Sequence, residues 1–197
     1  MRVRVSKKAL RALGIAESFK KNIGARSILA GVVMRGDLVI DGFSFTTITI
    51  GGMDATDGVI RLYKLLNRED INVILLNGVV IAWFNVIDLQ RVYDELQVPI
   101  IAVTYEESKE PLDRYFKEYF PDSWEKRVEV YRRNGLRERI FLKTGHEVFV
   151  RYLGISKNEA KGILNRFLLQ GAIPEPLRVA RLLARSLLKV FGKEVAS

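Results

Sequence analysis

The stretch "SILAGVVMRGDLVIDGFSFTTITI", residues 27–50, decides the fold. It contains two long apolar runs rich in β-branched residues, and the run Arg35, Gly36 and Asp37 separates them. A short polar turn between two such runs predicts an antiparallel β-hairpin. The run "ALGIAES", residues 12–18, precedes the hairpin and predicts one more strand. The sequence therefore predicts three consecutive strands joined without helical crossovers.

The pattern after the hairpin changes to alternating helices and strands. Apolar residues between Val59 and Leu66 follow helical spacing. The runs "INVILL" (71–76) and "VPIIAV" (98–103) are short and apolar except for Asn72, which is typical of strands covered on both faces. Parallel strands need a crossover, whereas a hairpin does not. The order β, β, β, α, β, α, β therefore predicts an α/β fold with a mixed five-stranded sheet, over a core of about residues 10–105.

The part from residue 106 to 197 is predicted to be mainly helical. Helical patterns cover residues 109–119 and 123–133, and a hairpin follows, formed by "RERIFLK" and "EVFVRYL". His146 falls in the turn of this hairpin. Ser156 followed by Glu159 predicts a capping box at the start of the next helix. Because no repeat or low-complexity linker interrupts the chain, we expect one domain over residues 1–197.

Composition excludes several classes of protein. A chain of 197 residues with 48% hydrophobic content is long enough to bury one sizeable core. It contains no cysteine, which excludes disulfides and thiolate metal sites. No apolar run approaches the roughly 18 residues that span a bilayer. We therefore expect a soluble, cytoplasmic protein with no membrane partner.

Charge is distributed unevenly along the chain. Residues 1–35 contain nine basic residues and one acidic residue, residues 36–123 contain seven and fifteen, and residues 124–197 contain sixteen and seven. Basic ends around an acidic middle suit a polyanion that lies across the flanks, with carboxylates and a divalent cation between them. Ordinary solvated faces are the alternative explanation.

Two carboxylates, Asp54 and Asp57, stand three residues apart in "TIGGMDATDG", residues 49–58, directly before the first predicted helix. They can serve as a helix cap and a first-turn acid, and "NVID" repeats this spacing with Asn85 and Asp88. Alternatively, carboxylates from Glu17, the first helix and the end of the fourth strand converge on one edge of the sheet. There they would bind Mg²⁺ or Mn²⁺. The spacing alone fits both explanations.

Several strings resemble the archaeal endonuclease dU family, which is itself similar to endonuclease V. They are "LGIAESF", "GVVMRGDLVIDGFSF", "ITIGGMDATDGVI", "ILLNGVVIAWFNVID" and "IPEPLRVARLLARSL". The resemblance covers nearly the whole chain. It implies a ribonuclease-H-like fold whose five strands lie in the order 3-2-1-4-5, with flanking helices.

The resemblance also implies a metal site. Endonuclease V uses an Asp on its first strand, a Glu before its first helix and an Asp that ends its fourth strand. In this sequence those positions fall at Ala16, Asp54 and Asn77, and Glu17 is adjacent to the first of them. The predicted catalytic residues are Glu17, Asp54 and Asp88, and the predicted metal ligands are Glu17, Asp54, Asp57, Asn77 and Asp88.

Basic and aromatic residues suggest where nucleic acid binds. Arg178, Arg181 and Arg185 form a stripe on the last helix, which is either a phosphate-tracking surface or a solvated face. Trp83 and Phe84 either stack on a base or complete a core. The predicted nucleic-acid-binding residues are Lys20, Lys21, Arg35, Trp83, Asn85, Arg178, Arg181 and Arg185.

Two functional hypotheses follow. The first is a divalent-metal-dependent endonuclease that cleaves nucleic acid, DNA or RNA, at deaminated or modified bases. The second is a nucleic-acid-binding protein that keeps the fold without catalysis, because Ala16 and Asn77 depart from the endonuclease V pattern.

Overall fold

A computed structural model of the chain describes residues 9–20, 25–107 and 112–191. The strands are β1 (Arg11–Ser18), β2 (Arg26–Arg35), β3 (Ile40–Thr49), β4 (Val73–Leu76), β5 (Val80–Ile81), β6 (Asn85–Val86), β7 (Ile100–Thr104), β8 (Glu138–Phe141) and β9 (Glu147–Leu153). The helices are α1 (Ala55–Leu65), α2 (Leu89–Leu96), α3 (Leu112–Tyr119), α4 (Trp124–Arg133), α5 (Lys157–Arg166) and α6 (Glu175–Phe191). None of the helices in these ranges is long and apolar enough to cross a membrane.

The main sheet has the order β3-β2-β1-β4-β7-β9-β8. Strands β1, β4 and β7 are mutually parallel, and β2 and β3 are antiparallel to their neighbours. The predicted order 3-2-1-4-5 is therefore confirmed, with β7 as the fifth strand. The sheet has seven strands rather than five, because β9 pairs antiparallel with the outer side of β7 and carries β8 with it. Strands β5 and β6 form a separate small hairpin.

Helices cover both faces of the sheet. Leu13 and Ile15 of β1 belong to a core that includes α1 and α2, whereas Ala16 packs against Val32 and Ala180 under α6. This alternation follows from the two-residue period of a strand. The pairing of β1 with β2 is continuous from Arg11 to Ser18. Glu17 therefore lies on the opposite face from its neighbour Ala16, as the alternation predicts.

The predicted C-terminal elements are present. Helices α3 and α4 match the predicted patterns, although residues 109–111 of the first lie outside the described residues. The capping box of α5 is confirmed, because Ser156 Oγ accepts from the Glu159 amide and the Glu159 side chain accepts from the Ser156 amide. His146 is exposed in the β8–β9 turn, where its Nδ1 lies 3.3 Å from the Thr144 carbonyl oxygen.

Helix α6 approaches β1 closely at Gly14. A Cβ atom at Gly14 would lie 2.4 Å from the carbonyl carbon of Pro176, at the start of α6, and 2.5 Å from its oxygen. Because these are backbone atoms, they cannot move aside as a flexible side chain does. The close packing of α6 on β1 therefore requires glycine at this position.

We expect Gly14→Ala to lower the free energy of unfolding by about 1–3 kcal/mol, the range typical of overpacking in a core. Urea denaturation measures this change. Gly42→Ala on β3 is the control, because the nearest atom to a Cβ there is on the flexible Arg68 side chain at 3.5 Å. Equal losses in the two variants would contradict the explanation.

Candidate active site

Three polar residues lie where the parallel strands end. Glu17 is near the end of β1, Asn77 directly follows β4 and Tyr105 directly follows β7. The amide of Asn77 donates to the carbonyl of Ile15, which fixes β4 against β1 at this edge. Within the described part of the chain, Asn77 Oδ1 and the Tyr105 hydroxyl are buried and have no hydrogen-bond partner. Buried polar atoms are normally satisfied, so these two mark an unusual site.

The Glu17 carboxylate is half-buried at this edge. It accepts a hydrogen bond from Ser27 Oγ at 3.2 Å and one from the backbone amide of Ala82. Burial raises the pKa of Glu17 above its ordinary value, and the two hydrogen bonds and the positive charge of Arg181 offset this only in part. The charged form of Glu17 is therefore incompletely compensated.

Asn77 lies between two cavities. The first has a volume of about 10 Å³, close to one water-sized sphere, and both Glu17 and Asn77 line it. The second has a volume of about 220 Å³ and extends from Asn77 to Tyr105, Arg137 and Arg151. Glu17 and Asn77 therefore border one small cavity, and Asn77 also borders the larger one.

Asp54 is the N-cap residue of α1, as its position in the sequence predicts, but its side chain makes no capping hydrogen bond. Its carboxylate accepts from the Thr49 amide at 3.0 and 3.1 Å, from Thr49 Oγ1 at 2.9 Å and from Asn85 Nδ2 at 2.7 Å. The first amide of α1, that of Ala55, donates instead to Asn85 Oδ1 at 2.9 Å. Burial raises the pKa of Asp54, but the hydrogen bonds from Asn85 and Thr49 outweigh it and hold the pKa below its ordinary value. Asp54 is therefore a well-satisfied carboxylate that holds the β3–α1 loop.

Asp57 and Asp88 each pair with an arginine. Asp57 Oδ1 accepts from Arg91 at 2.5 Å on the exposed side of α1. Asp88 caps α2 by accepting from the Arg91 amide at 3.2 Å, and its other oxygen accepts from Arg133 at 2.8 Å. Sequence spacing assigned the cap of α2 to Asn85, but Asp88 is the N-cap.

The structure does not bring Glu17, Asp54 and Asp88 into one cluster. Across residues 9–20, 25–107 and 112–191, no three acidic or histidine side chains are placed to share a metal ion. The physical reason is that Thr49 and Asn85 hold Asp54, while α2 and Arg133 hold Asp88. Glu17 shares a small cavity with Asn77 instead.

A strained turn lies between Glu17 and Asp54. Ala82, Trp83 and Phe84 join β5 to β6 with φ angles of 41°, 57° and 68°. Left-handed backbone costs about 1–2 kcal/mol for each non-glycine residue, so three in succession must be held by surrounding contacts. The Ala82 amide donates to Glu17, and its carbonyl accepts from the Gly51 amide at 2.8 Å. The turn therefore connects the end of β1 to the β3–α1 loop.

Arg127 of α4 fastens this turn to the loop. Its guanidinium donates to the carbonyls of Gly51 at 2.6 Å, Gly52 at 2.9 Å and Phe84 at 2.6 Å. The guanidinium carbon also lies 3.8 Å from the centre of the Phe120 ring. Arg127 is only 2% exposed, and burial lowers its pKa. This role was not predictable from the sequence, because Arg127 is one of four basic residues in the α4 region "EKRVEVYRR".

The aromatic residues of the turn pack mainly against α3 and the segment after it. Trp83 lies 5.2 Å from Phe120 and 5.8 Å from Tyr119, measured between ring centres. Phe84 stacks on Tyr115 and Tyr119. Both Trp83 and Phe84 are half-buried, which agrees with the explanation that they complete a core. Stacking of Trp83 on a base stays a prediction.

The other predicted nucleic-acid-binding residues differ widely in environment. Asn85 is fully buried and cannot reach a ligand, which corrects its assignment. Arg178 is paired with Glu175 at 2.5 Å, and Arg35 with Asp37 at 2.5 Å. Arg181 is half-buried near Glu17 and Tyr105. Lys20 and Arg185 are exposed, and Lys21 lies outside the described residues.

The fold is that of endonuclease V. Endonuclease V from Ciona intestinalis, solved with a 24mer DNA containing an inosine followed by a ribo-adenosine, superposes with a TM-score of 0.62 at 18% identity. That match covers 93% of this chain and 88% of the other. The Bacillus subtilis endonuclease V superposes with a TM-score of 0.63 at 14% identity. That match covers 98% of this chain and 86% of the Bacillus chain.

The chain belongs to the Endonuclease dU family, whose model matches residues 8–188. A UPF0215 protein from Pyrobaculum calidifontis is 35% identical over 172 residues, which is 87% of this chain and 93% of that protein. The crystal structure of a protein of unknown function from Archaeoglobus fulgidus superposes with a TM-score of 0.76 at 27% identity. That match covers 90% of this chain and 98% of the Archaeoglobus chain. The resemblance noted in the sequence is confirmed.

Proposed function

We propose that this chain is a divalent-metal-dependent endonuclease that cleaves phosphodiester bonds in nucleic acid. The observation that carries the proposal is the buried, unpartnered Asn77 Oδ1, at the ends of two adjacent parallel strands, where Asn77 and Glu17 line one small cavity. Ligands of open α/β sheets bind at the carboxyl ends of the strands. Family membership and the endonuclease V fold support the same reaction class.

The residues at this edge fit Mg²⁺ or Mn²⁺. One carboxylate and one neutral amide oxygen are hard donors, and Mg²⁺ in nuclease-type sites takes one or two carboxylates while water and substrate phosphate supply its remaining ligands. A cation would satisfy Asn77 Oδ1 and compensate the incompletely balanced charge of Glu17. A bound cation would polarise the phosphodiester and activate water.

The neighbouring residues position this pair. Ser27 and the Ala82 amide hold the Glu17 carboxylate, so its orientation depends on the strained turn. Asp54 acts through Thr49 and Asn85 to hold the loop that the same turn contacts, which makes it a positioning residue in our proposal. Arg181 places a positive charge near Glu17 and Tyr105, where it can neutralise a phosphate. Asp57 and Asp88 are not included, because arginines already pair with them.

The proposed substrate contains a deaminated or modified base. The solved complex of the Ciona endonuclease V contains inosine, and the name of the family specifies deoxyuridine. Catalysis on such a base is expected to require its removal from the stack, which costs least at a mismatch or in a single strand. Oligonucleotides with inosine or deoxyuridine, in single strands and duplexes, are therefore the substrates of choice.

The second candidate is a nucleic-acid-binding protein without catalysis. Asn77 stands where endonuclease V has an Asp, and the described residues contain no cluster of three acids. Cleavage in Mg²⁺ or Mn²⁺, followed on denaturing gels, separates the two candidates. Metal-dependent nicking of any of these substrates supports the enzyme, whereas binding without nicking on all of them supports the second candidate.

We expect Asn77→Asp to bind Mn²⁺ at least about tenfold more tightly than the unmodified chain, and Asn77→Ala to bind it more weakly, because residue 77 supplies an oxygen ligand. Calorimetric titration with Mn²⁺ measures both. Gln90→Glu is the control, because it adds the same negative charge at an exposed position on α2. The same rise in affinity in Gln90→Glu as in Asn77→Asp would show that only net charge matters.

A further inference from the structure

An open groove lies beside the candidate active site, between α4, β8 and β9. Its volume is about 650 Å³. Four arginines and one glutamate, Glu107, line it, so its walls are strongly basic. We call it the arginine groove and define it by Tyr131, Arg132, Arg137, Arg139, Phe149 and Arg151. None of these residues was predicted to bind a ligand.

Arg151 is the buried charge of the arginine groove. It is only 7% exposed, its Nε donates to the Gly135 carbonyl at 2.8 Å, and its guanidinium lies 4.8 Å from the centre of the Tyr131 ring. Over the described ranges, no carboxylate forms an ion pair with it. A buried guanidinium without a counter-ion is costly, and an anion in the groove would compensate it.

Arg132 forms an ion pair with Asp113, but Arg137 and Arg139 are weakly engaged. Arg139 lies 3.5 Å from Glu147, and both side chains are about half exposed. Arg137 donates to the Glu106 carbonyl over 3.4 Å, which is long for a hydrogen bond. Exposed pairs of this kind contribute little to stability, so these guanidinium groups are available for a stronger partner. Phosphate oxygens are that partner, because the planar fork of arginine matches their geometry.

The arginine groove continues to the candidate active site. Tyr131, Arg137 and Arg151 line both the groove and the cavity of about 220 Å³ that contains Asn77 and Tyr105. The groove and the cavity at the edge where β4 and β7 end are therefore neighbours that share two arginines. A small anion would contact only one of these two spaces, whereas a polyanion is long enough to contact both.

We propose that the arginine groove binds the sugar-phosphate backbone of the nucleic-acid strand whose cleavage site lies at Glu17 and Asn77. This inference rests on the proposed function. It specifies the side from which the substrate strand reaches the candidate active site. The strand lies along β8 and β9, with successive phosphates at Arg139, Arg137 and Arg151. The α6 stripe is less suited, because Arg178 is already paired with Glu175.

Binding of a fluorescently labelled single-stranded oligonucleotide in EDTA tests the groove independently of cleavage. We expect the double variant Arg137→Ala/Arg139→Ala to weaken binding at least about tenfold and to reduce the salt dependence by about two phosphate contacts. Anisotropy titrations at several NaCl concentrations measure both quantities. Because Arg151 is buried and its replacement affects folding, the test uses the half-buried Arg137 and the exposed Arg139.

The matched control is Arg61→Ala/Arg114→Ala, which removes two exposed arginines from α1 and α3. Equal loss of affinity in the two double variants would overturn the proposal, because binding would then follow total charge alone. Nucleic-acid binding through the groove without cleavage of any substrate would refute the proposed function and leave the groove. Cleavage with unchanged affinity in Arg137→Ala/Arg139→Ala would refute the groove and leave the proposed function.

Discussion

Glu17→Gln is expected to lower the rate of metal-dependent cleavage at least about a thousandfold. A metal ion contributes several kcal/mol of charge stabilisation in phosphoryl transfer, and each 1.36 kcal/mol corresponds to about a tenfold change in rate. Glutamine keeps an oxygen for the hydrogen bonds from Ser27 and the Ala82 amide but supplies no charge to a cation. Cleavage of the preferred substrate at saturating Mn²⁺ is the measurement.

The same variant is expected to be at least as stable as the unmodified chain without metal. Burial raises the pKa of Glu17, which means that its charge opposes folding. Removing that charge should raise the melting temperature by about 2–4 °C for each kcal/mol gained. A charged residue that is needed for activity commonly lowers the stability of the folded protein.

Glu118→Gln is the control for Glu17→Gln, since it makes the same chemical change at an exposed position on α3. It should alter neither cleavage nor melting. A Glu17→Gln protein that cleaves within tenfold of the unmodified chain would exclude Glu17 as a metal ligand. A Glu17→Gln protein that is inactive and also strongly destabilised would point to a structural role for the carboxylate.

The order of the central strands was predictable because each step depends on local signals. The turn at residues 35–37, the period change after Asp54 and the wholly apolar runs at β4 and β7 each fix one connection. The β8–β9 hairpin was also visible, but its pairing with β7 was not. Residues Ile100 and Leu153 pair across more than fifty positions, and the apolar pattern of β9 is equally compatible with a separate hairpin.

The candidate site was less predictable, because it depends on long-range pairing. Strand alternation was enough to place Glu17 opposite Ala16. The assignment of Asp88 failed because its partner Arg133 comes from α4, and surface arginines of that helix are indistinguishable from it in the sequence. Asn85 was read as a local cap of α2, yet it binds the first amide of α1, thirty residues earlier.

Arg127→Leu is expected to lower the free energy of unfolding by about 3 kcal/mol or more. The change leaves the carbonyls of Gly51, Gly52 and Phe84 without their donor, and each buried unsatisfied group costs about 1–3 kcal/mol. Relief of the buried charge offsets part of this cost, since burial already lowers the pKa of Arg127. The corresponding fall in melting temperature is about 6–12 °C.

Fluorescence of Trp83 can show whether the strained turn loosens before the whole chain unfolds. The chain has two tryptophans, so a Trp124→Phe background leaves Trp83 as the only reporter. We expect the Trp83 signal of Arg127→Leu to change at lower urea concentration than the circular dichroism of the helices. Arg114→Leu on the exposed side of α3 is the control.

Coincident urea transitions in Arg127→Leu would mean that the turn and the core unfold together, with the strain of residues 82–84 held by the core alone. An early Trp83 transition together with a matching loss of cleavage would have a different meaning. Because the Ala82 amide donates to Glu17, release of the turn also releases the carboxylate. Arg127 would then act on the candidate active site through the backbone of the turn, without contact with substrate.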